Sequence, residues 1–187
     1  MAGWKRYYMD AEFTELTLKQ DGTTLKPLDM ISIGIVDERG REFYAVSNEF
    51  NRQAAGSLLF LKNEVLSKLP PDDERQSRAD IRGGVLDFIG LDNARFYYWY
   101  LPQDWMVFSD LMSDYFLNMP KQIYPFGINL AQTWVELGQP DILPKMDTKQ
   151  QHNALYDAKW LKRVHEKLLA YEATLQDKPK PRGYRPL

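Results

Sequence analysis

The segment Tyr7-Tyr8-Met9-Asp10-Ala11-Glu12-Phe13 sets two carboxylates at i and i+2 inside an otherwise apolar and aromatic run. Such a run reads as a β-strand, and because side chains on a strand alternate, Asp10 and Glu12 point to the same face. Two like charges side by side on a half-buried strand repel each other and are costly to desolvate. The fold must therefore place this strand where something positive offsets the cost. Hard divalent cations, which take carboxylate oxygens, are the usual solution.

Composition narrows what else the site can contain. The chain has 187 residues, 44% apolar and 27% charged, with no cysteine and two histidines, His152 and His165. That length fits one domain with a sizeable core. The absence of cysteine excludes a disulfide scaffold, a thiolate zinc site and a cysteine nucleophile. A metal site must then use oxygen ligands or one of the histidines. A net charge of −2 gives no overall basic field to recruit nucleic acid, so local contacts and bound cations must supply any such attraction. No stretch approaches membrane-spanning length and the N-terminus lacks a signal-type apolar run, so a cytoplasmic location without membrane attachment is expected.

Periodicity gives an order of elements. Strands are expected over Lys5–Phe13, Leu28–Asp37 (alternating Ile31, Ile33, Ile35) and Arg41–Ser47, the last two joined by the turn Glu38-Arg39-Gly40. Helices are expected over Ser57–Leu69, stopped by Pro70-Pro71, and over Ser77–Gly90, where Ser77 and Asp80 resemble a capping box. The aromatic run Ala94–Leu101 reads as a buried strand, followed by a helix from Asp104 to Phe116. A short strand over Ile123–Phe126, a helix over Asn129–Leu137 and a long helix over His152–Leu175 complete the series. Residues 1–176 read as a single domain, and the basic, proline-rich 177–187 as a flexible tail. Antiparallel strands followed by alternating helices and strands predict an α/β fold with a mixed sheet. Chemistry in such folds gathers where strand ends meet helix starts.

Further candidates lie at such junctions. Asp104 opens a helix and shares the face of Phe108, one turn on; its plain role is an N-cap, and taken alone that role outweighs a ligand role. In His152-Asn-Ala-Leu-Tyr-Asp157 a regular helix would turn the two ends to different faces, at about 100° per residue. Both face one site if His152 lies just before the helix and Asp157 in its first turns. Beside a pair of metals, a histidine is the expected base for an attacking water. His165, in the charged run Leu161–Lys167, reads as solvated. Phe13 is a candidate for stacking on a substrate ring and Trp105 for lining the groove, each against packing as the plain alternative. The cluster Phe96–Tyr100 reads as sheet core.

Asp10-x-Glu12, Asp104 at a helix start and His152-x4-Asp157 together resemble the DEDDh branch of the DnaQ-like 3′–5′ exonucleases, which have a ribonuclease H-like fold. The longer runs YYMDAEF, ISIGIVDERGREFYAVSNEF and HNALYDAKW look most like a compact group of bacterial and phage 3′–5′ exoribonucleases related to ribonuclease T. One departure stands next to the fourth acid. Many relatives carry Gly-x-Asn shortly before it, where this chain has Trp99-Tyr-Leu-Pro-Gln103, so Asp110 and Asp114 are the alternatives to Asp104.

The resemblance implies two Mg²⁺ or Mn²⁺ ions held by Asp10, Glu12, Asp104 and Asp157, with His152 as general base. It also implies a nucleoside 5′-monophosphate product from an RNA 3′ end, and a homodimer. The alternatives are a DNA exonuclease, an inactive nucleic-acid-binding domain and a metal-independent glycoside hydrolase built on an acidic pair.

Overall fold

The computed structural model describes residues 3–20, 23–25, 27–113 and 118–176. Strand β1 spans Lys5–Glu15, followed by a small ribbon of β2 (Leu18–Gln20) and β3 (Thr23–Leu25), then β4 (Leu28–Asp37) and β5 (Glu42–Val46). Helix α1 (Arg52–Ser57) leads into irregular turns and then α2 (Arg78–Ile89), β6 (Ala94–Tyr98) and α3 (Gln103–Met112). The chain continues through β7 (Ile128–Asn129), α4 (Leu130–Glu136) and α5 (Ala154–Gln176).

Five strands form one sheet in the order β5-β4-β1-β6-β7. β4 is antiparallel to both of its neighbours, β1 and β5, whereas β6 and β7 run parallel to β1. With helices on both faces this is the mixed α/β sheet expected from the order of elements, and the ribonuclease H-like fold that the resemblance implies. The acid-bearing strand lies at its centre.

Alternation along β1 builds the two layers. Tyr7, Met9 and Ala11 pack with Ile33, Ile35 and Phe96 beneath α2 and α3. On the opposite face Tyr8 and Tyr97 meet Leu161, Val164 and Leu168 of α5. Fully burying one such side chain contributes about 1.5–3 kcal/mol. A third cluster, Ile31 with Phe50, Ala55, Leu61 and Val65, seats the irregular 52–68 segment against the end of β4.

Some expectations are corrected. The helix expected over Ser57–Leu69 is instead a short α1 capped by Asn51, which accepts from the Ala54 N–H at 2.9 Å, then a π turn at Leu61–Val65 and a 3₁₀ turn at Leu66–Lys68. The strand expected over Ile123–Phe126 is reduced to a single bridge from Ile123 to Ala94, and pairing resumes at Ile128. The loop after β1 contains the β2–β3 ribbon. His165 is buried, not solvated. It lies between Leu161 and Leu168 on the sheet-facing side of α5, its Nδ1 is 3.0 Å from the Tyr8 hydroxyl, and its ring packs on Tyr97. Burial lowers its pKa to about 4. The tail 177–187 and the fallback acid Asp114 lie outside the described residues. No helix among the described residues is long and apolar enough to cross a membrane.

Candidate active site

Asp10 and Glu12 leave β1 on the α5 face, paired in register with Gly34 and Ser32 of β4. Gly34 is what lets α5 approach them. A Cβ built there would stand 2.3 Å from the backbone of Ala154 and Leu155, so the start of α5 rests directly on the β4 backbone. Glycine inside a strand marks such close approaches.

The α5 start supplies the next two residues. Asn153 Oδ1 accepts from the Tyr156 N–H at 3.0 Å, and His152 stands just outside the helix in the left-handed region at φ 64°. A residue with a side chain held there costs on the order of 1–3 kcal/mol, and such strain clusters at functional sites. Asp157 lies in the first turn, where the helix dipole favours a carboxylate. Its Oδ2 accepts from the His152 N–H at 2.8 Å, while its Oδ1 is buried without a hydrogen-bond partner. One ligand atom each from Glu12, His152 and Asp157 lie within 4.8 Å of one another.

Asp104 arrives from the other layer. The N-cap position of α3 belongs to Pro102, and Asp104 uses its carboxylate on the sheet instead, accepting from the Ala11 N–H at 3.3 Å. The link ties α3 to β1 between the two opening acids. Asp110 is exposed and lines a separate cleft with Arg78 and Arg82.

Asp10, Glu12, Asp104, His152 and Asp157 thus border one cleft of about 420 Å³. Electrostatically it is an unmet demand for positive charge. Burial, with Asp104, Glu12 and Asp157 nearby, pushes Asp10 well above the usual carboxylate range. Burial and the neighbouring Asp157 and Asp104 raise Glu12 to about 8. Burial raises Asp104 to about 7 and Asp157 to about 6, although the Ala11 and His152 N–H groups pull these two down. His152 is moved the other way, below 6.5, first by burial and then by the charge of Lys68. Such a set of oxygen donors, one of them a buried orphan, fits hard divalent cations.

The rim is apolar. Phe13 faces the cleft while remaining packed against the core, just past a register shift at Glu12/Phe13. Trp105 does not reach the cleft lining; its ring is buried on Phe108 and against Gly127. Its place is taken by Trp99 and Tyr100, both expected in the sheet core. Tyr100 has φ 67° and is held by Asn129, whose side chain bonds both its N–H and its carbonyl. Phe60 meets the His152 ring edge-on at 4.8 Å. Lys68 donates to the Gln151 carbonyl. Neither Phe60 nor Lys68 carries a sequence signal, since both depend on how the irregular segment lands. Gly34 did carry one, as a lone glycine in an Ile-rich strand.

Comparison with known proteins adds kinship to this geometry. No protein-family model matches the chain. It is 35% identical over 159 residues to the 3′-5′ exoribonuclease Rv2179c of Mycobacterium tuberculosis (strain H37Rv), covering 82% of this chain and 87% of that protein. The 3′-5′ exoribonuclease MT2234.1 of strain CDC 1551 matches to the same extent. At that identity and coverage, the chain belongs to the family of these mycobacterial 3′-5′ exoribonucleases.

Proposed function

We propose that the protein is a metal-dependent 3′–5′ exoribonuclease of the DEDDh type, releasing nucleoside 5′-monophosphates from RNA 3′ ends. The observation that carries the metal requirement is the buried, unpartnered Asp157 Oδ1 among carboxyls that burial and mutual repulsion hold above their usual range. Asp10, Glu12, Asp104 and Asp157 would hold two Mg²⁺ or Mn²⁺ ions. Bound ions supply the charge that stabilises the attacking and leaving oxygens of the displacement.

The chain's own side chains do the rest. His152, held below its ordinary pKa, is neutral near pH 7 and accepts the proton of the attacking water. The water oxygen bonds to the terminal phosphorus and the preceding nucleotide's 3′-oxygen leaves. Phe13, Trp99 and Tyr100 offer apolar faces for the terminal base and exclude bulk water. The RNA preference rests on the kinship with exoribonucleases.

The test uses 5′-labelled single-stranded and 3′-overhang RNA, with matched DNA, in Mg²⁺, Mn²⁺ or EDTA. Stepwise 3′ shortening of RNA that EDTA abolishes is expected. Cleavage that survives EDTA overturns the metal reading, and faster shortening of DNA replaces the substrate. Binding without cleavage in either metal makes the protein a binding domain.

A further inference from the structure

The peptide plane joining Gln151 to His152 is gripped at both ends. Its carbonyl accepts from Lys68 Nζ at 2.5 Å, and its N–H donates to Asp157 Oδ2 at 2.8 Å. This plane fixes the entry to His152, whose left-handed backbone needs neighbours that over-determine it. Lys68 stands at the end of the irregular segment whose other end carries Phe60, edge-on to the His152 ring. That segment contains the π turn Leu61–Val65, a geometry frequent at functional sites. It is seated independently by the cluster around Ile31 and Phe50. Lys68 therefore reaches the loop from a fixed platform.

Lys68 points its ammonium at protein. One donor goes to the Gln151 carbonyl, and Glu64 Oε2 lies 3.6 Å away. Its charge also reaches Glu12, His152 and Asp157. We propose that Lys68 is a positioning residue: by holding the Gln151 carbonyl it orients the shared peptide plane, which aims the His152 ring and engages Asp157 Oδ2, leaving Oδ1 without a protein partner. The kinetic consequence rests on the exonuclease reading; the structural consequence does not.

Because the chain has no cysteine, Lys68→Cys provides a single thiol that 2-bromoethylamine converts to a lysine-like ammonium. In metal-free protein, hydrogen exchange across residues 146–157 is expected to quicken in Lys68→Cys and to return to the wild-type rate after aminoethylation. With Mg²⁺ and labelled RNA, kcat should fall by up to about 100-fold, the scale of a displacement near 1 Å, and recover on aminoethylation. KM and its salt dependence should stay within twofold of wild type. A raised KM with a shallower salt slope and intact kcat would make Lys68 a phosphate contact and overturn the proposal. Unchanged exchange in Lys68→Cys overturns it as well, and Lys68→Gln carries the same measurement if the cysteine variant does not fold. If the wild-type protein cleaves no nucleic acid, the exonuclease reading fails while the exchange result still decides the role of Lys68.

Discussion

Replacing Gly34 with alanine adds one methyl group where the structure has no room for it. The new Cβ would sit 2.3 Å from the Ala154 carbon and oxygen and the Leu155 nitrogen, whereas ordinary contact begins at 3.4 Å. These are backbone atoms, so no side chain can swing aside; α5 must lift from β4 by about 1 Å, and a misplacement of that size costs on the order of 100-fold in rate. That factor corresponds to about 2.7 kcal/mol of transition-state stabilisation. Asp10 is paired with Gly34, so the lift separates His152 and Asp157 from the acids of β1. Overpacking a dense interior also costs about 1–3 kcal/mol of stability. The assay is kcat/KM on 5′-labelled RNA in Mg²⁺, with thermal unfolding alongside. Gly83→Ala is the matched control. Nothing lies within 4 Å of its Cβ and it sits in α2, so activity should hold and stability rise by about 0.4–1 kcal/mol. A Gly34→Ala protein within threefold of wild-type activity refutes the argument that α5 must rest on β4.

Three further outcomes follow from the site and one from a helix cap. Glu12, Asp104 and Asp157 are raised to about 8, 7 and 6, so between the unfolded and folded pKa values the metal-free native state holds protons that the unfolded chain has released. Its stability therefore falls as pH rises, and Mn²⁺ should raise Tm more at pH 8.5 than at pH 5.5; a metal-free Tm that climbs over this range contradicts the sign. Asp104→Asn keeps an oxygen for the Ala11 N–H but loses the charge, so activity should drop at least about tenfold while the metal-free protein gains stability. Near-normal rates would remove Asp104 from the site. His152→Ala should lower kcat by about 10²–10⁴-fold yet leave a Mn²⁺-induced Tm shift in place, which direct titration against unfolding checks. Ser77 accepts from the Asp80 N–H at the start of α2, and Ser77→Ala should cost about 1 kcal/mol in denaturant unfolding with unchanged kcat.

The sheet was readable because Ile31, Ile33 and Ile35 recur at every second position of β4 and Gly40 marks the turn between β4 and β5. The acids were readable for a related reason: carboxylates in an apolar strand contradict local propensity, and such contradictions gather at functional sites. The 58–68 segment was not readable, since an apolar periodicity does not distinguish an α-helix from a π turn followed by a 3₁₀ turn. Trp105 and Trp99 exchanged places for a comparable reason. Which aromatic ring faces a cleft depends on where β6 ends and how the chain turns at Tyr100, and composition does not encode that. His165 looked solvated among lysines and glutamate, but its spacing from Leu161 and Leu168 puts it on the buried stripe.

The site draws on β1, α3 and the start of α5 with the loop before it, so the residues that bring it together are far apart in the order in which a chain is made. Folding during synthesis proceeds from the N-terminus. A partly made chain ending at α4 holds Asp10, Glu12 and Asp104, but neither His152, the proposed base, nor Asp157 with its unpartnered Oδ1. On the reading proposed here, such a chain is harmless to the message being translated beside it. On that proposal, competence arrives late, when residues 152–157 dock over Gly34.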